Sequence, residues 1–369
     1  MKIERIELHQ LQLPYKHPFE TSFGRESERD LILASVSGEG VTGWGECVAS
    51  GRPWYSYETT GTSWHVLKDF LVPQLLVMEF DSVSDIVSGF HWMRGHHMAR
   101  ACLENAVWDL LTRAQGVSLA QALGGTRERV SVGVSVGIER TVDELLDRVA
   151  QHVEEGYGRV KLKIKPGWDV DVVSSVRERW PDLPLQVDAN SAYQLSDAPI
   201  FQELDRFKLL LVEQPLNCED IVDHSKLQSQ ISTPICLDES IHSLEHARWA
   251  LDIQACQIIN IKVGRVGGLT AACQIHDLCA EHEVPVWCGG MLETNVGRAV
   301  NVALSSLANF SLPGDISASA RYFHRDIAAP DFVLNSDSTL TVPEASGNGA
   351  RVDLERLAEI RSAHLVFPE

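Results

Sequence analysis

The sequence predicts an α/β protein, a (β/α)7β TIM-like barrel with an α+β capping domain. After residue 128, eight short apolar runs recur at nearly constant spacing, with amphipathic helical stretches between them. The first third has a different order, strands followed by helices. Repeated strand-plus-helix units close into a parallel barrel, whereas strands followed by helices form an α+β unit.

The elements follow from the N-terminus. Residues 3–8 mix apolar and polar positions as a strand does. Residues 31–36 are apolar up to Gly38-Glu39-Gly40, and Val41-Thr42-Gly43-Trp44-Gly45-Glu46-Cys47 follows. A turn between two apolar runs reads as a hairpin. Over residues 63–121 the spacing becomes helical, with Met98, Cys102, Leu103, Ala106, Val107 and Leu110 three and four apart. Gly124-Gly125 ends this capping domain, residues 1–124.

The barrel is expected over residues 125–321. Its apolar runs are 130–135, 159–164, 183–188, 209–213, 235–238, 258–262, 284–288 and 310–315. Successive run ends at Ser135, Lys163, Asp188, Glu213, Asp238, Lys262, Gly289 and Asp315 are 28, 25, 25, 25, 24, 27 and 26 residues apart. An open doubly wound sheet is the alternative. It carries a glycine-rich phosphate turn after its first strand, and Gly133-Val134-Ser135-Val136-Gly137 is not that fingerprint. The remainder, 322–369, has a strand-like run at 339–342 and a helix at 354–363, and is expected to return to the cap.

Composition narrows the partners. A net charge of −19 disfavours nucleic acid and anionic membrane. No stretch approaches the roughly 18 to 20 apolar residues of a membrane span, and residues 1–7 lack the apolar core of a secretion signal. Eight cysteines, scattered through apolar contexts, read as reduced core thiols of a cytoplasmic protein. Most of the 14 histidines, His65 and His91 among them, carry no ligand spacing and read as structural or exposed.

Barrel chemistry belongs where strands end. Three consecutive runs end in acids: Asp188, Glu213 and Asp238. One such acid alone reads as a helix cap; three together repel and call for a cation. An oxygen-only donor set suits Mg²⁺, and Mn²⁺ can substitute. In Val160-Lys161-Leu162-Lys163-Ile164-Lys165 the lysines share one face, and the apolar face belongs against the outer helices. Lys161 and Lys163 therefore point inward, and Lys262 ends the sixth run by the same parity. Lys163 and Lys262 face each other across the barrel mouth, as two bases for one carbon acid would. A metal on the substrate's carboxylate, aided by Lys161, would stabilise the enolate charge. The expected partner is a small-molecule carboxylate.

These residues resemble the enolase superfamily in its muconate-lactonizing branch. The motifs are Lys161-Leu162-Lys163, Val187-Asp188-Ala189-Asn190, Val212-Glu213-Gln214-Pro215, Leu237-Asp238-Glu239-Ser240 and Lys262, and the likeness covers nearly the whole chain. Pro18 to Gly24, Gly43 to Cys47, Lys161 to Asp169 and Trp287 to Thr294 are similar to the o-succinylbenzoate synthase / N-succinylamino acid racemase family. The resemblance implies metal ligation by Asp188, Glu213 and Asp238, acid/base roles for Lys163 and Lys262, and a dehydration of menaquinone biosynthesis, a racemisation, or both. It implies substrate contacts from Gly290, Met291 and Glu293. Arg265 matches an arginine of the racemising members. It also implies a homo-oligomer, dimer or octamer.

Ser135 reads equally as a ligand for the substrate carboxylate or a plain core serine. Phe19 and Tyr55 fall in cap loops that, by resemblance, close over the substrate; without it they read as core aromatics. Asn190 and Glu239 follow metal ligands closely enough to support them. Two positions depart from the family: Asn295 replaces glycine near the substrate end of the barrel, and Lys165 replaces an acid. Three other readings are a muconate-type cycloisomerase, a lysine Schiff-base barrel and a catalytically silent metal-binding scaffold.

Overall fold

The computed structural model describes residues 1–368. Strands β1 (Arg5–Thr21), β2 (Gly24–Gly38) and β3 (Val41–Cys47) form an antiparallel meander. Side-chain alternation divides its faces. Ile6, Leu8, Ile32, Ala34 and Val36 pack with the helices of the cap, whereas Leu11, Leu13, Leu31 and Leu33 join the core of the barrel.

The helical region is broken into short pieces before one long helix, α1 (His97–Gln115). Pro73 starts one of these pieces near its N-terminus, and Gly116 ends α1 in the left-handed conformation at φ 69°. A Cβ at Gly43 would strike the backbone of Ala106 and Leu110, and one at Gly45 that of Cys102. Those two glycines let β3 lie directly against α1.

The barrel strands are β4 (Val134–Val136), β5 (Val160–Lys163), β6 (Leu185–Asp188), β7 (Val212–Glu213), β8 (Ile235–Leu237), β9 (Ile258–Ile261) and β10 (Val286–Cys288). They are parallel and neighbour one another in sequence order. Helices α2 (Val142–Glu154), α3 (Val170–Arg179), α4 (Ala198–Leu204), α5 (Val222–Gln228), α6 (Leu244–Asp252), α7 (Leu269–Glu281) and α8 (Asn295–Ser305) follow the strands outside. Thr141, Ser243 and Thr294 cap α2, α6 and α8 with their hydroxyl oxygens.

Four expectations change. The eighth run, 310–315, is not a regular strand. It closes the ring through bridges from Phe310 to Val286 and from Gly314 to Val132, because Pro313 has no N–H for a ladder. The first run is two strands: Arg129–Ser131 pairs antiparallel with Thr339–Thr341, and only β4 joins the barrel. Gly133 separates them where a Cβ would meet Arg159. The helix expected at 354–363 stops at Ile360, and β11 (Arg361–Phe367) pairs antiparallel with β1. Phe19 lies in β1 and not in a loop.

Candidate active site

Strand register builds the site. Lys163, Asp188 and Glu213 are Cα partners in one row across β5, β6 and β7. Asp238 follows β8, two residues beyond Cys236, which is the partner of Glu213. The three acids therefore end three consecutive strands, with Asp238 offset by two residues in register from Glu213. All three are fully buried. Asn190 and Gln214, which follow Asp188 and Glu213, have φ of 43° and 39°. Gln214 Oε1 accepts from the Asp238 N–H at 3.0 Å, and Asn190 Nδ2 donates to Glu239 Oε1 at 2.9 Å.

The lysines reach this row from their own strand. Lys163 Nζ is 2.6 Å from Asp188 Oδ2 and donates to Asn190 Oδ1 at 2.8 Å. Lys161 Nζ meets Glu213 Oε2 at 2.8 Å, Asp188 Oδ2 at 3.0 Å and Asp315 Oδ2 at 2.6 Å. From β9's end, Lys262 Nζ is 2.8 Å from Asp238 Oδ2 and 4.4 Å from the centre of the Tyr55 ring. Sheet order puts three strands between β5 and β9, so the two amines approach from opposite sides of the mouth.

Their environments differ. Burial, with Lys161 close by, pulls the Lys163 ammonium below its ordinary pKa despite Asp188. Burial also opposes charge on Lys161, but Asp315, Glu213 and Asp188 outweigh it and hold this lysine protonated. At Lys262, burial is outweighed by Tyr55 and by Glu213, Glu239 and Asp188, so its pKa is raised. Burial pushes Glu239 up to about 7, with Asp188 adding to the effect. Burial thus disfavours charge on Lys163, whereas neighbouring groups favour it on Lys161 and Lys262.

A divalent cation fits these residues. Asp188, Glu213, Asp238, Glu239 and Asp315 face Lys161, Lys163, Lys262, Arg159 and Arg265. If one lysine gives up its proton, the cluster becomes negative. Glu239 Oε2 and Asn260 Oδ1 are buried oxygens with no hydrogen-bond partner among the described residues, so the site has acceptors to spare. An all-oxygen set of this kind suits a hard dication.

The cavity above the row is lined by Phe19, Tyr55, Ser135, Lys161, Lys163, Asn190, Lys262, Gly290 and Met291, all anticipated from sequence. Asp188, Glu213 and Asp238 lie behind the lysines. Three other anticipated residues do not line it. Glu239 accepts from Asn190 Nδ2 at 2.9 Å. Arg265 pairs with Asp238, and its Nη1 is 3.3 Å from the Tyr55 hydroxyl. Glu293 turns back into its own loop, accepting from the Met291 N–H at 2.8 Å and Asn301 Nδ2 at 2.9 Å.

Sequence reasoning assigned no role to Asp315, Arg159, Arg29 or Tyr322. Asp315 binds Lys161 and Arg159, the latter at 2.5 Å, and its place at a run end was the available signal. Arg29 and Tyr322 line the cavity from β2 and the C-terminal segment, where no local pattern marks them. Of the two departures, Asn295 faces away from the cavity: it donates to Ala328 O at 2.8 Å and Asp331 Oδ1 at 3.0 Å, and accepts from Ser319 Oγ at 2.6 Å. Lys165 is half-buried, 3.7 Å from Glu20.

Residues 144–357 match the family described as Enolase C-terminal domain-like. Residues 5–124 match the mandelate racemase / muconate lactonizing enzyme N-terminal domain. The chain is 53% identical to an o-succinylbenzoate synthase of Geobacillus kaustophilus over 96% of this chain and 94% of that one. It is 50% identical to an N-succinylamino acid racemase of an Amycolatopsis species, over 98% of each. A solved enolase-superfamily structure from Listeria innocua superposes with a TM-score of 0.95 at 41% identity, covering 99% of both chains.

Proposed function

The chain belongs to the mandelate racemase / muconate lactonizing enzyme family of the enolase superfamily, and on that premise we propose that it is an o-succinylbenzoate synthase whose site also racemises N-succinylamino acids. Enzymes of this superfamily use a divalent metal and act on small molecules. The observation that carries the reading is the pair of buried amines, Lys163 and Lys262, facing one cavity from strands half a barrel apart.

Asp188, Glu213 and Asp238 would hold a dication, Mg²⁺ by their oxygen-only donors, which would supply positive charge to the substrate carboxylate; Mn²⁺ could replace it. The rest is done by the chain. Ser135 Oγ is buried without a partner among the described residues and donates to the substrate carboxylate. Lys163 takes the α-proton on its neutral amine. Lys161, held protonated by three carboxylates, stabilises the negative charge that develops. In the dehydration, Lys163 returns its proton to the departing hydroxyl, which leaves as water, while Lys262 stays charged across the plane. In racemisation, Lys262 delivers a proton to the opposite face, and the reverse reaction exchanges the roles. Phe19, Tyr55 and Met291 cover the carbon from water. A homo-oligomeric, cytoplasmic enzyme completes the proposal, supported by family likeness and eight free thiols. No helix among the described residues is long and apolar enough to cross a membrane.

Proton NMR in D₂O with Mg²⁺ and N-succinyl-L-phenylalanine, alongside polarimetry, tests the racemisation. Exchange of the α-proton with decay of rotation, both lost in EDTA and restored by Mg²⁺, is expected. Absence of exchange would sink the racemase half. Failure to form o-succinylbenzoate from its hydroxylated cyclohexadiene precursor would sink the synthase half.

A further inference from the structure

We propose that Glu7, His9 and His364 form a second metal site, which takes a transition-metal dication of the Zn²⁺ kind and fastens β11 to β1. It lies on the capping sheet, away from the barrel strands that carry the lysines and acids. Glu7 and His9 are two residues apart on β1 and project from one face, and His364 is the Cα partner of His9. One donor atom from each lies within 4.8 Å of the other two. His364 Nε2 is 2.7 Å from Glu7 Oε2, and His9 Nε2 is 3.9 Å from the same oxygen. A tetrahedral ion with bonds of roughly 2.0 to 2.2 Å spaces its ligands roughly 3.3 to 3.6 Å apart. The two separations bracket that value, so side-chain rotation closes the site while the strands stay paired.

His9 is the independent observation. Its side chain is only 4% exposed, and neither ring nitrogen has a hydrogen-bond partner among the described residues. Its ring stacks on that of His364 at 4.5 Å with the planes 11° apart, so ion uptake rotates one ring out of the stack to bring both in-plane lone pairs onto the metal. A buried imidazole with two unpaired nitrogens is unfavourable unless something binds one of them. Two imidazoles and one carboxylate select a borderline ion such as Zn²⁺ and discriminate against Mg²⁺ and Ca²⁺, which require oxygen.

One neighbour competes with the metal. Arg361 Nη1 lies 3.1 Å from His364 Nδ1; since arginine only donates, the His364 proton resides on Nε2 and points at Glu7. Metal uptake moves that proton to Nδ1 and releases the exposed Arg361. Removing Arg361 should therefore tighten binding.

The test is a Zn²⁺ titration of the full-length protein by calorimetry, with saturating Mg²⁺ present to occupy the carboxylate site. One equivalent of Zn²⁺ should bind, and Co²⁺ in its place should give the visible bands of a low-coordinate ion. His364→Gln should weaken binding at least tenfold with Mg²⁺-dependent activity unchanged, and Arg361→Gln should strengthen it. His364 is on an edge strand, so this variant should fold; a normal melting curve without metal checks that. Zn²⁺ binding that His364→Gln leaves unchanged would overturn the proposal, as would no binding beyond the Mg²⁺ site.

Discussion

The Glu46 carboxylate in the cap grips Thr294 in the barrel. Its Oε2 accepts from Thr294 Oγ1 at 2.6 Å and from the Gly297 N–H at 3.1 Å, while Oε1 accepts from the Thr294 N–H at 3.2 Å. Thr294 is the N-cap of α8, so an acid from β3 holds the first turn of a barrel helix. That turn directly follows Gly290 and Met291, which line the cavity. The Gly-Trp-Gly-Glu stretch therefore has a physical meaning: its glycines admit α1, and its glutamate docks cap to barrel beside the site.

Glu46→Gln replaces one of these acceptor oxygens with an amide donor that faces other donors. Stability should fall by about 2 kcal/mol, the magnitude of leaving a buried donor unpaired. Denaturant unfolding measures this. If the variant unfolds at the wild-type midpoint, the contact does not hold the interface.

The two lysines should separate cleanly when removed singly. In Lys163→Ala and Lys262→Ala, net inversion of an N-succinylamino acid should drop by roughly 10³-fold or more, because each hand of substrate needs both amines. Exchange with D₂O should persist in each variant for the one enantiomer whose proton faces the surviving lysine. NMR on each pure enantiomer reads this. Exchange of both hands in either variant would rule out a two-sided site.

The fold and the reactive row were legible because periodicity and parity are local signals. Lys161, Lys163 and Asp188 could be read from alternation and strand-end chemistry alone. Strand register was not, so the two-residue offset of Asp238 from Glu213 emerges only in the fold. Asp315 meets Arg159 across 156 residues, and Arg29 and Tyr322 reach the cavity from outside the barrel strands, which no local pattern encodes. At residue 361 the helical pattern gave way to pairing with β1, a tertiary choice that overrides propensity.

Asn295 should prove structural. It links the start of α8 to Ser319, Ala328 and Asp331 with three side-chain hydrogen bonds, so Asn295→Gly should lose about 2 to 3 kcal/mol of stability. The ratio of synthase to racemase kcat/KM should stay within about twofold, because the side chain does not line the cavity. A large change in that ratio would mean the residue sets specificity after all.

Acid should destabilise the protein through His224. This ring is fully buried, its Nε2 accepts from the Leu216 N–H at 3.1 Å, and Nδ1 lies 2.6 Å from Asp220 O. Both nitrogens are thus committed in the neutral form, and burial lowers the pKa from 6.5 to about 4. Between those values the unfolded chain binds a proton that the folded chain refuses, so lowering the pH favours unfolding. The stability is fully present above pH 6.5 and is lost as pH falls toward 4, by roughly 3 kcal/mol for this one group. His224→Gln keeps an acceptor and a donor but cannot titrate, so its unfolding free energy should fall less steeply over that window. Urea melts from pH 7.5 to 4.5 compare the slopes. Parallel curves would show that His224 is protonated, or already solvated, in the native state.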